Sequence, residues 1–124
     1  MTEPRVPRAT SRLQSFRHAG RGLRVLFAGQ PNARIHLVVA VGVVLLGAWL
    51  RIDRIDWALL ALAIGLVIGA EALNTAVEHV VDLASPRWHA LARDAKDVAA
   101  AGVLVASLAA LAIGLLVFVP RLLG

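Results

Sequence analysis

The chain has 124 residues, 59% of them hydrophobic and only 17% charged, with no cysteine and no tyrosine; its mean hydropathy is +0.75. That length allows one domain, and a soluble globule so small could not hide this much apolar surface. The arithmetic describes a small membrane protein and excludes a disulfide framework, a thiolate metal site and a redox dithiol.

The net charge of +5 gathers at one end. Residues 1–34 hold seven arginines (Arg5, Arg8, Arg12, Arg17, Arg21, Arg24 and Arg34) against Glu3, and the rest of the chain sums to −1. Because these arginines precede membrane-like segments, anionic lipid headgroups are the expected electrostatic partner and nucleic acid is not.

Residues 1–10 contain two prolines and no apolar run, and are expected to form a flexible tail. From Ser11 onward Leu13, Phe16, Gly20, Leu23 and Phe27 recur at helical spacing, with Arg17, Arg21 and Arg24 between them. This pattern predicts an amphipathic surface helix over about 11–28. Gly29, Gln30, Pro31 and Asn32 should break it. A secretory signal peptide is not expected, since the first long apolar run starts only near residue 35 and no small-residue cleavage site follows it.

Three apolar stretches come next, predicting spans over about 33–50, 57–82 and 94–119. About 20 helical residues, at roughly 1.5 Å each, cross a bilayer core of about 30 Å. The expected fold is therefore an all-α integral membrane protein, a single domain over 11–124 with a surface helix and three transmembrane helices. The basic N-terminal arm and the charge-balanced 51–56 turn orient it with the N-terminus and the 83–97 connection in the cytoplasm. Trp49 and Trp57 flank the outer turn, and Trp88 lies in the inner loop.

Polar residues concentrate in the second span. Glu71, Asn74, Glu78 and Asp82 are spaced 3, 4 and 4 apart, which puts all four on one helix face. Carboxylates at membrane depth are costly and mark functional sites; the plainer reading is a solvated acidic stripe on a helix end leaving the membrane. A second cluster, Arg93, Asp94, Lys96 and Asp97, opens the third span. Asp94 there could serve only as a cap, but a lysine in a first turn opposes the helix dipole. It calls for a partner anion, either a carboxylate of the stripe or a phosphate. Carboxylates for a divalent ion beside a lysine for phosphates suggest phosphoryl transfer at the membrane surface. No soluble nucleotide-binding loop is present. His18, His36, His79 and His89 show no metal-ligand spacing, and the Gly65/Gly69 pair reads as a helix-packing device within or between chains.

The run ExLNTAxExxVD from Glu71 to Asp82, followed by SPxxHxLAxxAKDxAAxxVL from Ser85 to Leu104, resembles the prokaryotic diacylglycerol kinase family. The segment from Asn32 to His36 is most similar to its undecaprenol kinase branch. The resemblance covers roughly residues 11–118. It implies a homotrimer of three-span chains in the bacterial inner membrane, with active sites shared between neighbours at the cytoplasmic face. It also implies Mg2+ and ATP, with the γ-phosphate passing to a lipid alcohol, undecaprenol or diacylglycerol. By matching positions, Glu71 corresponds to the catalytic base and Asn74 to an essential polar residue beside it. Glu78 corresponds to a metal-ligating glutamate, Lys96 and Asp97 to ATP contacts, and Arg87, Trp88 and His89 to a nucleotide-contacting stretch. Trp49 matches a lipid-facing substrate position. Arg12 matches an N-terminal phosphate contact, with Ser11 one register away. The family's second metal-ligating glutamate falls on Gln30, whose neutral amide is a weaker ligand. That departure keeps open a catalytically silent scaffold of the same fold. A small proton-coupled transporter using Glu71 is the remaining alternative.

Overall fold

The computed structural model describes residues 11–124, so the 1–10 tail lies outside the described residues. Four helices follow in chain order: α1 (Arg12–Gly29), α2 (Pro31–Leu50), α3 (Arg54–Ala84) and α4 (Ala90–Leu122). The described residues contain no strand. The three later helices are each long and apolar enough to cross a membrane.

Local chemistry sets the ends. Ser11 caps α1, its side chain accepting from the Gln14 N–H at 3.2 Å. The predicted break at residues 29–32 shrinks to Gln30 alone. Proline is well suited to the first helical position, where its missing N–H costs nothing, so Pro31 starts α2. Arg51 takes the left-handed conformation (φ 51°) that ends α2, and Asp53 accepts from the Asp56 N–H at 2.9 Å to open α3. α4 opens at Ala90, four residues before the expected start, because the His89 ring Nδ1 accepts from the Leu91 N–H at 3.1 Å. Asp94 is therefore not the cap. Lys96 lies in the second turn, where the first-turn dipole argument no longer applies.

α3 and α4 form the dominant pair, α2 packs on α3, and α1 touches α2 and α3. The tightest packing lies at the end that carries the α2–α3 turn. Ile52, Leu60, Val117 and Phe118 are buried there, with Trp57 packed against them. A Cβ at Gly47 would come within 3.0 Å of both Ile52 and the Trp57 ring, so glycine permits this closure. Arg121, at the C-terminal end of α4, reaches Asp53 at 3.3 Å and also pairs with Asp56. Both partners sit where helix dipoles favour their charges.

Much of the helix surface is nevertheless uncovered in the single chain. The accessible surface is 9775 Å², against roughly 6,400 Å² for a compact soluble monomer of this mass. Large apolar side chains such as Leu73 (71% exposed) and Leu83 (86%) point outward. A surface of this kind is stable only against lipid or other protein.

Candidate functional site at the α3–α4 loop end

The acidic stripe of α3 meets three different partners. Glu71 is only 4% exposed, and its Oε1 lies 3.3 Å from Nε2 of His36 on α2. One turn on, Asn74 Nδ2 donates to Glu78 Oε1 at 3.4 Å, while Asn74 Oδ1 is buried without a hydrogen-bond partner. At the loop, Lys96 Nζ donates to Asp82 Oδ1 at 2.5 Å. The carboxylate partner of Lys96 is thus supplied by the stripe, across the α3–α4 pair. Mutual repulsion of the carboxylates is relieved one contact at a time.

Depth follows from helix rise. Twenty steps of helix rise from Trp57 reach Val77 and span about 30 Å. Glu71 therefore falls inside the apolar thickness, and Glu78 and Asp82 fall beyond it.

One cavity is reached from the stripe through His36, and two more are lined in part by the stripe itself. The first, about 380 Å³, lies between α2, α3 and α4, and its only polar side chains are those of His36 and Ser107. A second, about 320 Å³, opens at the α3–α4 loop and is lined by Asp82, Arg87, Trp88, His89, Lys96 and Asp97 among others. It gathers all five of the residues that the sequence assigned to ATP in this part of the chain. Trp88 is 78% exposed, and the Arg93 guanidinium sits 5.9 Å from its ring centre. Arg93 is also held by Asp94 at 2.9 Å. The third, about 350 Å³, is a groove of small residues along α3 and α4, with Asn74 on its wall.

Other predicted site residues lie apart from these cavities. Trp49 is 75% exposed and sits 13 residues beyond His36 on α2, about 20 Å farther along the helix. Arg12 is exposed at the start of α1. Gln30 is half-buried at the α1–α2 corner and makes no side-chain cap to α2.

His36 is the residue that spacing rules missed, because it is neither near Glu71 in sequence nor part of a ligand motif. A signal was nonetheless present. Ala33, Ala40 and Gly47 recur every seven residues and are all buried, and His36 falls on that same face.

Among the described residues no group of three or more His, Cys, Asp or Glu gathers to hold a metal by itself. The donors present are the Glu78 carboxylate and the unpartnered Asn74 Oδ1 beside it. Such a set suits magnesium, which is commonly held by one or two carboxylates together with substrate phosphates.

Comparison with known proteins finds relatives over most of the chain. The model of the family "Prokaryotic diacylglycerol kinase" matches residues 17–118. The undecaprenol kinase of Bacillus subtilis is 40% identical over 109 residues, covering 88% of this chain and 89% of that protein. The diacylglycerol kinase of Synechocystis sp. is 44% identical over 117 residues, covering 94% of this chain and 67% of that protein. That of Escherichia coli K12 is 34% identical over 93 residues, with 75% and 76% covered.

Proposed function

The chain belongs to the prokaryotic diacylglycerol kinase family and is a membrane lipid kinase; from that premise we propose that it passes the γ-phosphate of ATP to a lipid alcohol at the cytoplasmic face of the bacterial plasma membrane. One observation carries the reading. A buried carboxylate, Glu71, contacts a histidine that lines an apolar cavity, and the same helix face leads three turns on to a polar pocket rich in cations.

In this reading the acceptor's hydrocarbon chain occupies the cavity between α2, α3 and α4, with its hydroxyl at Glu71. The hydroxyl oxygen forms a bond to the γ-phosphorus while the bridging bond to the β-phosphate breaks and ADP leaves. Glu71 takes the hydroxyl proton. A carboxylate is a weak base for an alcohol, but a loose phosphoryl-transfer transition state demands little proton removal before the bond to ADP breaks. Orientation of the hydroxyl is then the larger contribution.

Lys96, Arg87 and His89 contact the phosphates, the exposed Trp88 ring offers a face for the base, and Asp97 completes the pocket. Arg12, which lies apart from the pocket within one chain, would reach the phosphates only through sites shared between chains, and Trp49 meets the surrounding lipid rather than the reacting atoms. Glu78 would hold Mg2+ together with the ATP phosphates, with Asn74 beside it and Gln30 as a neutral ligand. The ion supplies charge neutralisation during transfer.

A polyprenol acceptor is favoured over diacylglycerol by the cavity's lining. Diacylglycerol brings two ester carbonyls close to its hydroxyl, and buried polar groups need donors. His36 and Ser107 are the only polar side chains lining this cavity, and a prenol asks for nothing further. The assembly proposed is a homotrimer with shared sites. Gly65 and Gly69 have nothing within 4 Å of a built Cβ, and the small-residue groove beside Asn74 is open to a neighbouring helix.

A transfer assay tests the acceptor. Purified protein in bilayers receives labelled ATP, magnesium and either undecaprenol or diacylglycerol in equal mole fraction. Faster labelling of undecaprenol is expected; a preference for diacylglycerol would overturn the polyprenol reading.

A further inference from the structure

Glu71 is the only buried charged side chain among the described residues. A carboxylate accepts a proton only while it is ionised, and an ionised carboxylate away from water needs a donor. The neighbouring Thr75 hydroxyl is already committed, donating to the Glu71 backbone carbonyl at 2.9 Å. Among the described residues His36 is the one side chain recorded against the carboxylate, at 3.3 Å. That separation lies just beyond the range of an N–H···O hydrogen bond, so the donation requires the two groups to close slightly, as catalytic contacts commonly do once substrate is bound.

The register that brings the ring there is built into α2. Ala33 and Ala40 flank His36 at one turn on either side and are 1% and 9% exposed. Small side chains at these positions let α2 approach α3 closely. The imidazole then spans the gap and lines the apolar cavity at the same time, with 27% of its side chain exposed.

We infer that His36 is a positioning residue for phosphoryl transfer, donating its Nε2–H to one oxygen of Glu71. The donation orients the Glu71 carboxylate and leaves its other oxygen to receive the lipid hydroxyl proton. His36 itself takes up no proton and touches no phosphate. This role rests on the kinase reading above.

Three variants test it in bilayers with magnesium, ATP and undecaprenol: His36→Leu, His36→Gln and His36→Asn. A glutamine amide can reach where Nε2 lies and donate from there, but it cannot accept a proton as imidazole does; an asparagine amide falls short. His36→Leu and His36→Asn should lower kcat by about 100-fold, on the scale of removing one preorganised donor, with KM for ATP unchanged. His36→Gln should recover to within about tenfold of wild type, since it restores the donor alone. Should His36→Leu fail to assemble, the contrast between Gln and Asn decides the matter.

Equal activity of Gln and Asn, or wild-type kcat in an assembled Leu variant, would overturn the positioning role while leaving the kinase reading intact. A wild-type protein that labels no lipid alcohol overturns the kinase reading instead.

Discussion

Phe118→Ala separates the scaffold from the site. Phe118 is 8% exposed and packs with Ile52, Leu60 and Val117 at the end carrying the α2–α3 turn. In a water-soluble core this truncation costs about 3–5 kcal/mol. Of that, about 1.5–3 kcal/mol is the transfer of the side chain from water. Helices that separate inside a bilayer do not lose this part, because lipid tails are as apolar as the core. Lost packing and the residual cavity remain, about 1.5–2 kcal/mol with the ends of the two ranges matched. The loss can be followed by titrating the bilayer-reconstituted protein with a denaturing detergent and reading the fluorescence of Trp57, which packs in the same cluster. Phe118 and Lys96 are 22 residues apart on α4, about 33 Å along the axis. The kinase rate below the unfolding transition should therefore stay within about twofold of wild type. A stability loss above about 4 kcal/mol would mean that water, not lipid, is the reference for this core. A collapsed rate with unchanged stability would refute the separation of scaffold from site.

Three further predictions address the site. Lys96→Met should lower kcat/KM for ATP by about 100-fold, whereas Asp82→Asn, which removes only the 2.5 Å partner of Lys96, should cost less than about tenfold; equal losses would reduce Lys96 to a structural ion pair. Gln30→Glu adds a hard carboxylate oxygen and should lower the magnesium concentration for half-maximal rate by about threefold or more, read from initial rates across a magnesium series; an unchanged midpoint would remove Gln30 from the metal site. Gly114→Leu projects into the cavity between α2, α3 and α4, where a Cβ meets nothing within 4 Å. It should raise KM for the lipid by about tenfold through exclusion of chain contacts, each worth about 0.1–0.2 kcal/mol, without changing KM for ATP.

Much of this was legible from one sequence because membranes simplify the problem. Apolar runs of about 20 residues locate spans, and the 3, 4, 4 spacing of Glu71, Asn74, Glu78 and Asp82 defines a face without reference to any other helix. An anionic partner for Lys96 was also expected, though from a first-turn position that it does not occupy, and the structure identifies that partner as Asp82. What escaped depended on contacts between helices. His36 is separated from Glu71 by the whole outer turn, and only the close α2–α3 approach joins them. The start of α4 was misjudged because an imidazole serves as its cap in place of the usual hydroxyl or carboxylate. The 29–32 break was overestimated because Pro31 begins a helix as readily as it ends one. The Gly65/Gly69 pair, which the sequence left open between packing within and between chains, faces open space in this chain.

The most direct test of the account is phosphate transfer by Glu71→Gln compared with wild type, both reconstituted in bilayers and shown by crosslinking to assemble equally. The account predicts labelled lipid phosphate from wild type and a rate lower by about 100-fold or more in the variant, the scale of general-base loss. An assembled Glu71→Gln protein that transfers phosphate at the wild-type rate would contradict it, because the one buried carboxylate among the described residues would then have no part in the chemistry.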